Sequence, residues 1–240
     1  MKTFLSRAYG PVESVDLWSA GAFENASVAP RQAPSVSDAQ CRVEVALVFA
    51  LVMAAVWTPQ GPLNSAVCLL TAFYLVWFSV RGRFSARELG LSQPGSGLSV
   101  TLAGGILIVA AAFVAAPWIR TFGDPHPVPL DRAWQYAVWA LVQEFILQSC
   151  FFLRLEKLLG GRRAVPVAAV LFAIPHIPSP ILTGASLMGG LLFCELFRRY
   201  RNLFPVGLVH AALGLTLAAT LPERLLHHMR VGIGYLMFHP

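Results

Sequence analysis

The sequence predicts an all-α fold, a polytopic transmembrane helical bundle of about seven to eight helices. The chain has 240 residues, of which 56% are apolar and only 12% are charged, whereas a soluble domain usually has about 25% charged residues. The apolar residues form long uncharged runs separated by short basic segments, which is typical of membrane-spanning helices. The lipid bilayer is therefore the first expected partner.

The first 42 residues differ in composition from the rest of the chain. They mix basic and acidic residues, are rich in Ser, Ala and Pro, and contain no apolar stretch long enough for the core of a signal peptide. This composition indicates a poorly ordered segment. The predicted domains are a flexible cytoplasmic N-terminal tail over residues 1–42 and a transmembrane helical domain over 43–240.

Turn residues and prolines divide the apolar sequence into spans. The uncharged run Val45–Val80 is broken by the turn residues at 58–62, which gives two predicted spans. The prolines at 175, 178 and 180 interrupt the segment 164–194, which is either two short spans or a broken re-entrant pair. The tail 231–238 is too short to span a bilayer alone. Apart from segment 164–194, the predicted spans cover 45–58, 63–80, 97–119, 133–153 and 203–221.

The basic residues fall mainly in alternate loops. The intervening loops at 59–62 and 177–180 have no Lys or Arg, although Arg120, Arg132, Arg224 and Arg230 are exceptions to the alternation. The positive-inside rule therefore predicts a cytoplasmic N-terminus. The expected location of this multi-pass protein is the bacterial inner membrane. The net charge of +6 is explained by these flanking positions, and no nucleic-acid partner is expected. The clustered basic residues are Arg42, Arg81, Arg83, Arg87, Arg154, Lys157, Arg162, Arg163, Arg198, Arg199 and Arg201.

Common cofactor and metal motifs are absent from the sequence. The four cysteines are scattered without CxxC spacing, so neither a disulfide framework nor a structural metal site is indicated. There is no phosphate-binding glycine loop and no His-Glu-x-x-His motif. No internal repeat is evident, which makes a transporter the least favoured function.

Three ionisable residues lie inside predicted spans, where such residues are costly and are candidates for function. Glu144 is ten residues from Arg154, His176 is thirteen from Arg163, and His210 is nine from Arg201. At 1.5 Å per helical residue, all three lie roughly 13–20 Å from the same face. Three separate helices are therefore predicted to bring one carboxylate and two imidazoles to a similar depth.

These three groups suffice for attack of water on an amide. Glu144 could act as general base, His176 could share the proton, and His210, with Gln143, could stabilise the oxyanion. Structural alternatives exist for each, because a buried Glu can join two helices and a His beside prolines can have a purely structural role. Cys150 as nucleophile is a minor alternative, since apolar surroundings disfavour the thiolate.

No cofactor is expected for this chemistry, with zinc as the alternative. Glu144, His176 and His210 could supply the three protein ligands of a catalytic zinc ion. This alternative ranks lower, because no further carboxylate lies at that depth to orient the histidine ligands.

The buried residues resemble the CAAX protease and bacteriocin-processing family of intramembrane endopeptidases. That family has Glu-Glu-x-x-x-Arg on one helix, Phe-x-x-x-His on a second and His-x-x-x-Asn on a third. Here the second motif is intact as Phe172-x-x-x-His176. The segment Glu88–Leu91 is similar to the one that precedes the family's core, and the resemblance covers about residues 85–222.

The first and third motifs depart from the family's pattern. Gln143 stands where the family has its water-activating Glu, Gln148 where it has Arg, and Gly214 where it has Asn. In one interpretation the site is rewired, because the loss of one Glu and one Arg leaves the local charge at −1 and Glu144 becomes the base. In the other, the protein is a catalytically inactive relative that acts as a membrane binding or immunity-type protein.

The resemblance implies an intramembrane protease that hydrolyses a peptide bond of a membrane-associated protein or peptide through Glu/His-activated water. The implied catalytic residues are Glu144, His176 and His210, and the supporting residues are Gln143, Gln148 and Phe172. The family's relatives imply a membrane-anchored substrate cleaved near a terminus.

Overall fold

The computed structural model describes residues 37–81, 84–93, 95–119 and 128–237. Within these ranges the regular structure is helical and contains no strand, which confirms the predicted all-α class. The predicted tail lies largely outside the described residues. The helices are α1 Asp38–Trp57, α2 Pro62–Val80, α3 Leu98–Ile119, α4 Leu130–Glu144, α5 Leu153–Leu159, α6 Gly161–Ala173, α7 Pro180–Tyr200, α8 Leu203–Thr220, α9 Glu223–Leu226 and α10 Gly232–Leu236.

Six helical stretches in the described part of the chain are long and apolar enough to cross a membrane. A π-helix, Phe145–Phe152, joins α4 to α5, so Leu130–Leu159 forms one of the six. The others are α1, most of α2 and α3, α7 and α8. The predicted spans agree with these helices to within a few residues at most boundaries. The chain is an integral, multi-pass membrane protein.

The first helix begins before the predicted boundary of the tail. The Ser37 side chain accepts a hydrogen bond from the Gln40 backbone N–H at 3.2 Å, and the Gln40 side chain accepts one from the Ser37 N–H at 3.1 Å. This reciprocal pair is a capping box, which satisfies two otherwise unpaired donors at a helix start. Residues 38–42 are therefore helical, because local capping outweighs the polar composition that suggested a tail.

The fourth span is longer than the predicted 133–153, and this changes the environment of Arg154. The clustering of basic residues predicts that Arg154 is a loop residue that flanks the membrane. In the structure the helix continues to Leu159, and Arg154 is only 2% exposed. Its guanidinium pairs with Glu44 of α1, with 2.8 Å between Arg154 Nε and Glu44 Oε2. Arg154 can lie buried within the helix because the Glu44 carboxylate compensates its charge.

The segment 164–194 forms two antiparallel helices. A 3₁₀ turn, Ile174–His176, ends α6, and α7 begins at Pro180 with Ser179 as its cap. A Cβ atom at Gly190 of α7 would lie 3.0 Å from Ala169 Cα of α6, so the two backbones approach closely. At 13 residues, or about 20 Å, α6 is shorter than a hydrocarbon core. Helix α7 is therefore long enough to cross the membrane, whereas its partner α6 is not.

Helix α8 packs against both α3 and α4. Its start is fixed by the loop before α3, because the Leu203 N–H donates to the Gly90 carbonyl at 3.0 Å. The Asn202 side chain also donates to the Ser96 carbonyl at 2.8 Å. Further along, a Cβ atom at Gly207 would overlap the Leu141 side chain, so the absent side chain lets α8 approach α4 closely.

The largest apolar cluster surrounds the π-helix. Leu147, Phe151 and Phe152 are at most 1% exposed. Phe151 lies 6.4 Å from Phe49 of α1, and Phe152 meets Phe197 of α7 edge to face at 6.0 Å, both measured between ring centroids. The helix that carries Glu144 is therefore anchored on two sides directly after that residue.

Candidate active site

Glu144 is the last residue of α4 and is fully buried. Its Oε1 lies 2.8 Å from His210 Nδ1, and its Oε2 accepts a hydrogen bond of 3.0 Å from Gln148 Nε2. A carboxylate can accept several hydrogen bonds, and a buried one is stable only when they are supplied. The two partners hold the carboxylate in a fixed orientation between α4 and α8.

His210 of α8 is oriented by its contacts on several sides. Because a carboxylate oxygen accepts, Nδ1 carries the proton in the bond to Glu144, and Nε2 of the neutral imidazole holds a lone pair. The ring stacks on Phe193 at 5.6 Å and meets the edge of Phe172 at 6.0 Å between centroids. Its side chain is 14% exposed, in contrast to that of Glu144. His210 is therefore the more exposed member of the pair.

His176 has no hydrogen bond to Glu144 or His210 among the described residues, but it shares a neighbouring ring with His210. Its Nδ1 lies 2.9 Å from the Phe172 carbonyl, one helical turn earlier. Since a carbonyl only accepts, Nδ1 is the protonated nitrogen, and Nε2 holds the lone pair. The Phe172 ring contacts both imidazoles, at 5.2 Å from His176 and 6.0 Å from His210 between centroids. The intact Phe-x-x-x-His motif thus supplies both a histidine and the ring that spaces it from His210.

The two glutamines predicted to support the site have different roles. Gln148 is fully buried, and its Oε1 has no hydrogen-bond partner within the described structure. Gln143 is partly buried and has no hydrogen bond to any described residue. Gln148 therefore holds Glu144 in place, whereas no described hydrogen bond joins Gln143 to the Glu144–His210 pair.

The arrangement does not form a metal site as it stands. Across the described ranges, no three His, Cys, Asp or Glu side chains are grouped so that they could hold a metal ion. Glu144 and His210 already share a hydrogen bond through Nδ1, and His176 lies beyond Phe172. Zinc binding by Glu144, His176 and His210 would require a rearrangement of these side chains.

One residue at the site is not predicted from the sequence. Phe193 of α7 stacks on His210. An aromatic residue in an apolar run resembles a core residue, so Phe193 has no sequence signal of its own.

The minor alternative, Cys150 as nucleophile, has an unsuitable environment. Its side chain is 2% exposed and belongs to the apolar cluster around the π-helix. The preceding residue, Ser149, donates its hydroxyl proton to the Leu89 carbonyl at 3.2 Å. Among the described residues, no hydrogen bond joins Cys150 or Ser149 to Glu144 or His210.

Comparison with known proteins identifies one family. Residues 125–216 match the family model described as Type II CAAX prenyl endopeptidase Rce1-like. This range includes all three sequence motifs but not the segment Glu88–Leu91, so it is narrower than the resemblance over 85–222. Neither the curated proteins nor the solved structures gave a match. The predicted resemblance is confirmed over residues 125–216, where the chain is similar to the Rce1-like branch of the CAAX protease and bacteriocin-processing family.

Proposed function

We propose that this protein is an intramembrane endopeptidase in which the Glu144–His210 pair activates water. The Rce1-like family is a protease family, and its description supports a membrane-associated protein or peptide as substrate. The observation that carries the proposal is the 2.8 Å contact between Glu144 Oε1 and His210 Nδ1. A buried carboxylate that orients an imidazole leaves the far nitrogen available as a general base.

This assignment differs from the sequence-based one, in which Glu144 itself takes the proton from water. Glu144 is fully buried, and each of its oxygens is hydrogen-bonded to a protein side chain. With no exposed surface, the carboxylate offers no direct approach to a water molecule. We therefore assign proton transfer to His210 Nε2 and orientation and charge stabilisation to Glu144.

The reaction follows in two steps. The water oxygen attacks the carbonyl carbon of the scissile amide while His210 Nε2 takes the water proton, which gives a tetrahedral oxyanion and an imidazolium stabilised by Glu144. The imidazolium then returns the proton to the amide nitrogen as the C–N bond breaks. His176, whose Nε2 is free to accept a hydrogen bond, assists by orienting the water.

The experiment uses the purified full chain in lipid nanodiscs and an internally quenched peptide that ends in a farnesylated CAAX sequence. Glu144→Gln, His176→Ala and His210→Ala should each lower kcat by about 100-fold or more, because a positioned acid–base group contributes that much. The double variant Glu144→Gln/His210→Ala should be no slower than the slower single variant, since groups that act as one unit are not additive.

An exposed Glu–His pair elsewhere in the chain provides the control. Glu223 Oε1 lies 2.7 Å from His228 Nδ1, but the two side chains are 42% and 53% exposed. Glu223→Gln and His228→Ala should cleave the peptide at the wild-type rate. Unchanged cleavage by all three site variants would contradict the proposal.

The second candidate function is a non-catalytic membrane binding protein of the immunity type. Gln143 favours it, because an amide at that position can neither accept nor release a proton as a carboxylate would. This function predicts no cleavage by wild type and capture of the same partner by wild type and Glu144→Gln. Capture combined with cleavage that Glu144→Gln abolishes would contradict it.

We propose that catalysis uses no cofactor, and zinc is the alternative to be tested. Metal analysis of the purified protein distinguishes them. One equivalent of zinc in wild type, lost in both Glu144→Gln and His176→Ala, would support a zinc hydrolase and contradict the metal-free mechanism.

A further inference from the structure

Phe193 of α7 covers one face of the His210 imidazole. The two rings are inclined by only 22°, and their centroids lie 5.6 Å apart. The face of the phenyl ring is therefore turned toward the face of the imidazole in an offset stack. The second aromatic neighbour of His210, Phe172 of α6, meets it at 89° and at 6.0 Å between centroids.

The position of the Phe193 ring is fixed by its own surroundings. Phe193 is 3% exposed and packs in one apolar cluster with Val206 and Val209 of α8. A Cβ atom at Gly189, one turn earlier in α7, would lie 3.2 Å from Phe193 Cε2, so the ring lies close over the Gly189 backbone. The stack on His210 is therefore held by packing against both α7 and α8.

The charge of the imidazole changes during the proposed reaction, and this gives the stack an energetic role. His210 is neutral before it takes the water proton at Nε2, and it is an imidazolium afterwards. The face of a phenyl ring carries partial negative charge and attracts a cation within about 6 Å of its centroid. Phe193 lies within that distance.

Few other groups act on the charge of His210. In the described part of the chain, the titratable groups that interact with it are Glu144, through the hydrogen bond, and His176, through repulsion when both imidazoles are charged. Glu144 stabilises the imidazolium from its edge, at Nδ1, and the Phe193 ring is placed to do so from its face.

We infer that Phe193 is a positioning residue, which holds the plane of the His210 ring and stabilises its imidazolium form through the face of the phenyl ring. The inference rests on the proposed function, in which His210 transfers the proton. Phe193 forms and breaks no bond. Because it acts on a state that exists only after proton transfer begins, it contributes to kcat and not to substrate binding.

The test replaces Phe193 with phenylalanines that carry one, two or three ring fluorines, in the full chain in nanodiscs. Fluorine withdraws electron density from the face of the ring and changes its shape little. With the farnesylated CAAX peptide, kcat should fall stepwise to about one tenth of the wild-type value, with KM unchanged. Phe193→Leu removes the ring and should lower kcat by at least about tenfold.

The matched control is the same fluorine series at Phe151. This residue is 1% exposed, and its ring contacts the uncharged Phe49 at 6.4 Å between centroids. Fluorination at Phe151 should leave kcat unchanged, because no charge develops beside that ring in the proposed reaction.

A second measurement follows His210 itself and needs no substrate. In protein labelled with ¹⁵N-histidine, the shifts of the ring nitrogens report the fraction of imidazolium, and His210→Ala identifies the signal. At the pH where half of the wild-type His210 rings carry a second proton, three fluorines at Phe193 should reduce this fraction to about one tenth. A His210 ring that takes no second proton at any pH at which the protein is folded would overturn the inference.

The outcomes distinguish the two proposals. The inference requires that kcat and the imidazolium fraction both follow the number of fluorines. If either is unchanged while Glu144→Gln lowers kcat by about 100-fold, the role of Phe193 is overturned and the proposed function stands. If wild type cleaves no peptide, the proposed function is overturned, and the imidazolium fraction alone decides whether Phe193 stabilises the charged ring.

Discussion

Gln143 and Gln148 are the neutral residues that flank Glu144 on the same helix. In the related pattern these positions carry a carboxylate and a guanidinium, whose charges cancel. Glu144 is therefore the one acidic residue among the predicted site residues. Its charge is stabilised by the Gln148 amide and the His210 imidazole. A change at one glutamine should depend on the residue at the other.

We predict strong coupling between Gln143→Glu and Gln148→Arg. The first variant alone adds a carboxylate beside buried Glu144 and should lower the free energy of unfolding, because like charges in a low-dielectric region repel. Adding Gln148→Arg should recover most of the loss, with a coupling of about 0.5–3 kcal/mol. Thermal unfolding in one detergent measures this cycle, and Gln143→Leu controls for the change of shape. Additive effects would argue against charge compensation at this site.

Depth along the helices was the part of the site that the sequence could predict. Counting from the arginines brought Glu144 and His210 to one level, and the structure joins them. Rotation about each helix axis cannot be obtained in this way, so the ring contacts of Phe172 with both His176 and His210 are not predictable from the sequence.

At the scale of elements, α1 and α5 are linked by a buried ion pair. Arg154 follows the π-helix, pairs with Glu44 and also donates to the Ser149 carbonyl within the π-helix. Its guanidinium lies 4.9 Å from the centroid of Phe84 and 5.5 Å from that of Phe78. Arg154 therefore fixes the end of the helical stretch whose other end carries Glu144.

We predict that Arg154→Met destabilises the protein by about 3–5 kcal/mol, because it removes the guanidinium from the buried Glu44 carboxylate. Glu44→Gln/Arg154→Met should recover much of this loss, since no buried charge of the pair then remains. The measurement is unfolding in detergent. The matched control is Arg199→Met, whose side chain is 61% exposed beside Glu195, and it should change stability by less than about 1 kcal/mol. Equal effects at the two arginines would contradict the prediction.

At the scale of the whole molecule, hydropathy predicted the helices well and their lengths less well. Long uncharged runs define spans because lipid cannot form hydrogen bonds with backbone groups or solvate charged side chains. The prediction failed where a polar residue is satisfied internally, as with Arg154 in the fourth span and Ser37 at the start of α1. The sequence also left open the form of segment 164–194, because prolines mark an interruption but not the direction of the chain after it.

We predict that α4 begins outside the cell and that α6 begins in the cytoplasm. Asp131 and Arg163 are exposed near the starts of these helices, at opposite ends of the bundle. In sealed right-side-out vesicles, an impermeant maleimide should label Asp131→Cys directly and Arg163→Cys only after permeabilisation. Exposed Cys68 is first replaced by Ser. The reverse pattern of labelling would contradict the orientation derived from the arginines.

The π-helix also limits how this sequence can change in length over evolution. Eight consecutive residues, Phe145–Phe152, follow the wider helical path between Glu144 and Arg154. Deleting one of them would turn everything after the deletion by about 100° relative to α4 and carry Arg154 away from Glu44. Relatives that keep both the Glu144–His210 pair and the Glu44–Arg154 pair should therefore conserve the number of residues between positions 144 and 154, while gaps accumulate in the connecting loops.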